Sequence, residues 1–124
     1  MLKIFILMTA AAALLAQNPA IKRTVIQRNE FSVPGREAVV AQVEIVPGGF
    51  AGMHTHAGEE IGYVTEGELE LLIDGQPART IKTGESFMVP AGARHNGHNK
   101  GTGQLKFVGV YLIDKGTPLA TPAP

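Results

Sequence analysis

Four histidines occur in the chain, and they fall in two pairs: His54 with His56, and His95 with His98. The first pair stands in His54-Thr55-His56-Ala57-Gly58-Glu59-Glu60, so a carboxylate follows four residues after the second imidazole. In an extended segment, side chains at i and i+2 leave the backbone on the same face. His54 and His56 would then aim two nitrogens at one point. After a turn at Ala57-Gly58, Glu60 can bring an oxygen there, and His95 offers a fourth donor. Imidazoles and a carboxylate together suit borderline divalent ions: Fe, Mn, Cu, Ni or Zn. Ca and Mg prefer oxygen shells. Glu59 competes with Glu60 but lies one residue off the ligand parity. His98 has the wrong parity relative to His95 and reads as a surface or pocket-rim residue.

Four protein donors on an octahedral ion leave two positions open, whereas a closed tetrahedral structural site leaves none. Open positions admit a substrate oxygen or dioxygen. The donor set therefore points to an active or binding site more than to a structural metal.

Short strands must carry these groups. Glu37 to Val46 alternates, with Val39, Ala41, Val43 and Ile45 on one face and Gln42 and Glu44 on the other. Pro47-Gly48-Gly49 ends it. Met53–His56, Ile61–Thr65, Glu68–Ile73, Ala78–Ile81 and Ser86–Val89 are further strand candidates. Asp74-Gly75 is a hairpin signal. Leu105 to Ile113 is apolar on both faces, which suits a central strand or one covered by a partner. Gly 15 and Pro 8 supply the turns. The pattern is all-β, a sandwich or barrel. Thr24–Gln27 reads as a short edge strand within an N-terminal segment, residues 17–36. Residues 37–115 form the barrel, and the Pro-rich tail, 116–124, is expected to run extended and loosely packed, over a neighbour or into solvent.

Before these comes a charged start, Met1-Leu2-Lys3, an apolar run from Ile4 to Leu15, and Ala16 ahead of Gln17-Asn18-Pro19. That is the layout of a secretory signal peptide, residues 1–16, cleaved after Ala16. The run is short for a membrane span. The protein is thus expected to be exported, periplasmic or secreted, with no stable membrane anchor after cleavage. It has no Cys, so neither disulfides nor thiolate ligands contribute. Formal net charge is +0, which argues against nucleic acid as a partner.

Two longer patterns bear a family resemblance. Gly48, His54-Thr55-His56, Glu60 and Gly67 match the first cupin motif in order and spacing. Gly84, Pro90, Gly92, His95 and Asn99 match the second. The sequence thus resembles a small single-domain cupin. The resemblance implies a double-stranded β-helix, or jelly-roll barrel, with one divalent transition metal in its mouth, held by His54, His56, Glu60 and His95. Cupins include dioxygenases, isomerases and non-catalytic binding or sensing modules. A dioxygenase-like oxidoreductase acting on a small organic substrate is the leading reading, a binding or sensing module the second, and an isomerase the third. Met53, Val64, Met88, Phe107 and Tyr111 are candidate pocket residues, although such side chains serve as readily for plain core. Arg94, next to His95, is a candidate for an anionic substrate, with a solvated turn residue as the plain alternative. Outward apolar side chains in Leu105–Ile113 and Ile61–Tyr63 suggest a homodimer.

Overall fold

A computed structural model describes residues 18–124 of the chain. The expected signal peptide, residues 1–16, lies outside the described residues. The described residues contain no helix. They form two five-stranded sheets, antiparallel throughout.

The first sheet comprises β1 (Ile21–Glu30), β2 (Arg36–Ile45), β4 (Gly58–Glu66), β7 (Ser86–Val89) and β9 (Leu105–Asp114), in the order β1-β2-β9-β4-β7. The second comprises β3 (His54–Thr55), β5 (Glu68–Ile73), β6 (Arg79–Lys82), β8 (His95–His98) and β10 (Thr121–Pro122), in the order β10-β3-β8-β5-β6.

Alternation decides which face each strand buries. On β2, Val39, Ala41, Val43 and Ile45 are buried. On β9, Leu105, Phe107, Tyr111 and Ile113 are buried, while the intervening Val108, Val110 and Leu112 are half-buried. β9 is central in its sheet, between β2 and β4. Burying a large aliphatic or aromatic side chain contributes about 1.5–3 kcal/mol, so a strand that buries four of them anchors its sheet.

The interior has two apolar clusters. The larger gathers Val64, Leu69, Leu71, Ile73, Phe87 and Phe107 with their neighbours, and the Phe87 and Phe107 rings meet edge to face at 5.5 Å. The smaller holds Val39, Ala41, Tyr111 and Ile113, with Ala57 and Leu119 packed on it. The polar group described below sits where the two meet. Within it, His95 pairs across strands with Ile73, and the ring of His56 touches that of Tyr111.

Two local expectations are revised, and the expected turn at Asp74-Gly75 is found. The N-terminal edge strand is longer than Thr24–Gln27: β1 spans Ile21–Glu30 and pairs along all of β2, with a bulge between Val25 and Gln27. Asp74-Gly75 is the centre of a turn closed by Gln76 N–H to the Ile73 carbonyl at 3.0 Å, and the chain returns antiparallel as β6 from Arg79. Pro77 lies in the intervening loop and has no N–H to give the ladder. The Pro-rich tail is docked within its own chain rather than loose. Residues Thr121–Pro122 pair with β3, and Ala123 N–H donates to the carbonyl of Met53 at 2.9 Å.

Candidate metal centre

Backbone register assembles the four donors. His54 on β3 is the direct cross-strand partner of His95 on β8, which places their Cβ atoms about 5 Å apart on one face. The chain leaves β3 through His56 and enters β4, which carries Glu60 into the opposite sheet. Gly58, Glu59 and Glu60 then alternate buried, half-buried, buried. Glu59 faces away from the cluster and lies 3.5 Å from the Arg36 guanidinium. The ligand atoms of His54, His56, Glu60 and His95 all lie within 4.8 Å of one another, and all four residues are buried.

The outer ring nitrogens set the tautomers. Nδ1 of His54 lies 2.6 Å from the Gly52 carbonyl, Nδ1 of His56 2.6 Å from the Leu119 carbonyl, and Nδ1 of His95 2.9 Å from the Ala93 carbonyl. A carbonyl oxygen only accepts, so each Nδ1 must carry the hydrogen and each Nε2 presents a lone pair. The Nε2 atoms of His56 and His95 are buried with no hydrogen-bond partner among the described residues. Leaving a buried polar atom unsatisfied costs about 1–3 kcal/mol. Glu60 Oε2 stands 2.6 Å from Nε2 of His56 and 3.7 Å from Nε2 of His95. Lone pairs of nitrogen and carboxylate oxygen at that separation repel unless positive charge lies between them. The donors therefore fit a divalent transition metal in number, in chemistry and in the carbonyls that hold each outer ring nitrogen.

In the metal-free fold, burial pushes the Glu60 carboxyl up, but hydrogen bonds donated by the His56 and His95 rings override burial and bring it down to about 2, with a proton on Nε2 standing where an ion would lie. His54 is lowered to about 4, chiefly because burial disfavours its cation, with His95 adding to the effect and the Gly52 carbonyl opposing it. Near neutral pH the site thus offers an ionised carboxylate and an uncharged His54 ring. Burial and the Glu60 carboxylate push the Tyr111 hydroxyl up, against a weaker pull from Arg23, so Tyr111 stays protonated. Its ring lies at 4.8 Å from that of His56, over Gly109. A Cβ on Gly109 would come within 2.7 Å of the Tyr111 hydroxyl, so that approach requires glycine.

A cavity of about 540 Å³ opens between β1 and the β3–β10 edge, with His54 in its wall. Of the candidate pocket residues, Met53 lines it. Tyr111 lies behind His56, fully buried. Val64 and Phe107 are corrected to core: both belong to the larger apolar cluster. Met88 is corrected to the outer surface, because it alternates with the buried Phe87 and Val89 and is 55% exposed. Arg94 does not face the site. It pairs with Asp74 at 2.8 Å and with a carbonyl oxygen of Pro124. His98 is on the outer face of its sheet, stacked on Phe50 at 3.8 Å and 3.1 Å from Glu70. Asn99 is fully buried and structural: its side chain donates to the carbonyls of Ile45 and Gly103 and accepts from Gly101 N–H.

Two contributors escaped the sequence reading. Arg23, inward-facing on β1, lines the cavity. The alternation of Ile21 and Arg23 with Lys22 and Thr24 was the available signal. The tail supplies the Leu119 carbonyl and the wall residues Ala120 and Pro122.

Comparisons with known proteins agree with this architecture. The family model described as "Cupin domain" matches residues 41–111. Germin-like protein subfamily 2 member 2 of Arabidopsis thaliana is 34% identical over 102 residues, covering 76% of this chain and 47% of that protein. The chain thus spans about half the length of that curated relative. A cupin domain from Bordetella pertussis superposes with a TM-score of 0.62 at 27% identity, covering 77% of this chain and 95% of its own. A double-stranded β-helix protein from Klebsiella pneumoniae gives 0.68 at 23% identity, over 84% and 87% of the two chains. The DMSP lyase DddQ from Ruegeria pomeroyi gives 0.64 at 23% identity, over 69% of this chain and 43% of that one.

Proposed function

The chain belongs to the cupin family, and from that premise we propose that it is a metal-dependent, dioxygenase-like oxidoreductase acting on a small organic substrate. In this reading His54, His56, Glu60 and His95 hold one divalent ion of Fe, Mn, Cu, Ni or Zn. The observation that carries it is the pair of buried, unpartnered Nε2 atoms facing an ionised carboxylate oxygen. When bound, the metal supplies Lewis-acid or redox chemistry to a ligand in the adjoining cavity.

The chain's own groups prepare the site. The carbonyls of Gly52, Ala93 and Leu119 hold the three rings in one tautomer. Glu60 supplies negative charge that offsets part of the ion's own. Tyr111, protonated and packed on His56, closes the rear of the site against water.

Loading the purified protein with each metal in turn, then recording oxygen uptake with phenolic and diketone substrates, tests the reading. One metal per chain together with substrate-dependent oxygen consumption supports it. Stoichiometric metal binding without uptake favours the second reading, a non-catalytic binding or sensing module. That reading is supported by a cavity lining with no carboxylate for general acid–base work. The same lack weighs against an isomerase. Fold likeness to a lyase selects no reaction.

Two further properties belong to the same proposal. The apolar leader supports export to the periplasm or the medium, which fractionation of tagged cells would check. Ile61, Tyr63 and Met88 lie side by side on the outer face of the first sheet, 43–55% exposed, and support pairing with a second copy.

A further inference from the structure

The cavity beside the donor set has a one-sided charge. Its lining carries the charges of Lys22 and Arg23 beside the uncharged His54 ring and apolar groups such as Ile21, Met53 and Ala120, and it contains no acidic residue. Of the four other arginines of the described residues, Arg28 is answered by Glu37, Arg36 by Asp114 and Glu59, and Arg94 by Asp74, while Arg79 is exposed to solvent without an ion pair. Arg23 has no ion pair among the described residues, and its Nε is buried with no hydrogen-bond partner. Its guanidinium lies close enough to His54 to disfavour a charge on that ring, and it also acts on the Tyr111 hydroxyl.

A buried, unsatisfied guanidinium nitrogen is costly to keep unless something else satisfies it. Pairing with β2 forces the exposure of Arg23 to the cavity, because Arg23 sits opposite Val43, whose side chain is buried inward. The donors of a guanidinium match a carboxylate in a planar fork. The surrounding wall of Ile21, Met53 and Ala120 matches a compact hydrocarbon body.

We propose that Arg23 anchors the carboxylate of a small organic acid in this cavity, so that the body of the acid lies against the His54 side of the metal centre. The inference builds on the metal-centre reading for its location and adds the substrate class: a monocarboxylate with a small apolar body. Lys22, on the cavity rim, adds attraction without a fork.

The test uses benzoate and hexanoate against their neutral counterparts benzamide and hexanamide. Calorimetric titration is run on the full chain, metal-loaded and chelator-treated. The acids are expected to bind at least roughly 10-fold more tightly than the amides in both forms, since the anchor is a side chain rather than the ion. Arg23→Gln should erase that preference, weakening the acids by roughly 10- to 100-fold while leaving the amides and metal stoichiometry unchanged. Arg23→Lys should fall between, because charge remains and the fork is lost. Equal affinity of acid and amide for the wild-type protein overturns the inference, whatever the fold of the variants. So does a preference that persists in Arg23→Gln, or one that disappears with the metal. A chain that binds no metal yet keeps the Arg23-dependent preference refutes the oxidoreductase reading and leaves the anchor standing.

Discussion

Nδ1 of His56 lies 2.6 Å from the carbonyl oxygen of Leu119, 63 positions further along the chain. That contact ties the tail to the metal centre. A ring whose outer nitrogen is held by a carbonyl keeps both its tautomer and its aim, and loss of such a partner typically costs 10- to 100-fold in metal affinity. Deleting residues 116–124 should therefore weaken metal binding by roughly that factor, measured by competition with a chromophoric chelator. Leu119→Ala keeps the carbonyl and removes only packing against the Val39–Tyr111 cluster. It should lower thermal stability while changing metal affinity by no more than about 3-fold, far less than a lost carbonyl. If the two variants lose affinity equally, the carbonyl plays no orienting part.

Glu60 is the donor whose charge the site depends on. Added metal at about 100 times its dissociation constant should stabilise the wild-type chain by about 2.7 kcal/mol through mass action alone. For a domain of this size that means a rise in melting temperature of about 10 °C or more. Glu60→Gln keeps the shape and removes the charge, so the same metal concentration should give a much smaller rise in a thermal melt. An undiminished rise would place the ion somewhere else.

His54 makes the metal-free protein sensitive to acid. Its ordinary pKa of 6.5 is lowered to about 4 in the fold, mainly by burial. Above pH 6.5 the ring is neutral in both folded and unfolded chains, and it contributes nothing to pH dependence. Between pH 6.5 and 4 the unfolded chain takes up a proton that the folded chain refuses, so stability falls as pH falls. The loss reaches on the order of 3 kcal/mol by pH 4 and then levels off for this group. Glu60, held down at about 2, loses its contribution only below its ordinary 4.5, so the interval from 6.5 to 4.5 is free of its effect. Urea unfolding of chelator-treated protein across that interval should show the slope, and His54→Asn should flatten it. A flat wild-type profile would mean that burial exacts no such penalty.

The outer face of the first sheet gives an expectation for assembly. Met88→Glu places a charge beside Ile61, its cross-strand partner. If that face pairs with a second copy, sedimentation velocity should show the wild type as a dimer and the variant as a monomer. A wild type that sediments as a monomer at high micromolar concentration ends the proposal.

Three of the four donors were legible in the sequence because their information is local, and the distant His95 was legible through its second motif. The two-residue spacing of His54 and His56 fixes a shared face, and Glu59 falls off that parity for the same reason. The central place of β9 was one of the two outcomes that its apolar faces allowed, the other being cover by a partner. Arg23 was missed because the alternation that faces it inward covers only Ile21 to Thr24, and pairing with Val43, twenty positions away, is what fixes the inner face. Met88 was misplaced although the rule that places it was at hand: Phe87 and Val89 flank it and point inward. The docking of the tail rests on backbone contacts, such as Ala123 N–H to the Met53 carbonyl, that no hydrophobic alternation announces.

The donors are divided between the two layers of the molecule: His54 and His95 stand on the second sheet, Glu60 on the first, with His56 in the connection between them. An ion held by all four would act as a rivet through the sandwich, joining layers that otherwise share only apolar contacts at this point. Pulling the sheets apart would then require breaking coordinate bonds, so the loaded chain should resist proteases and mechanical force for far longer than its gain in equilibrium stability alone would suggest.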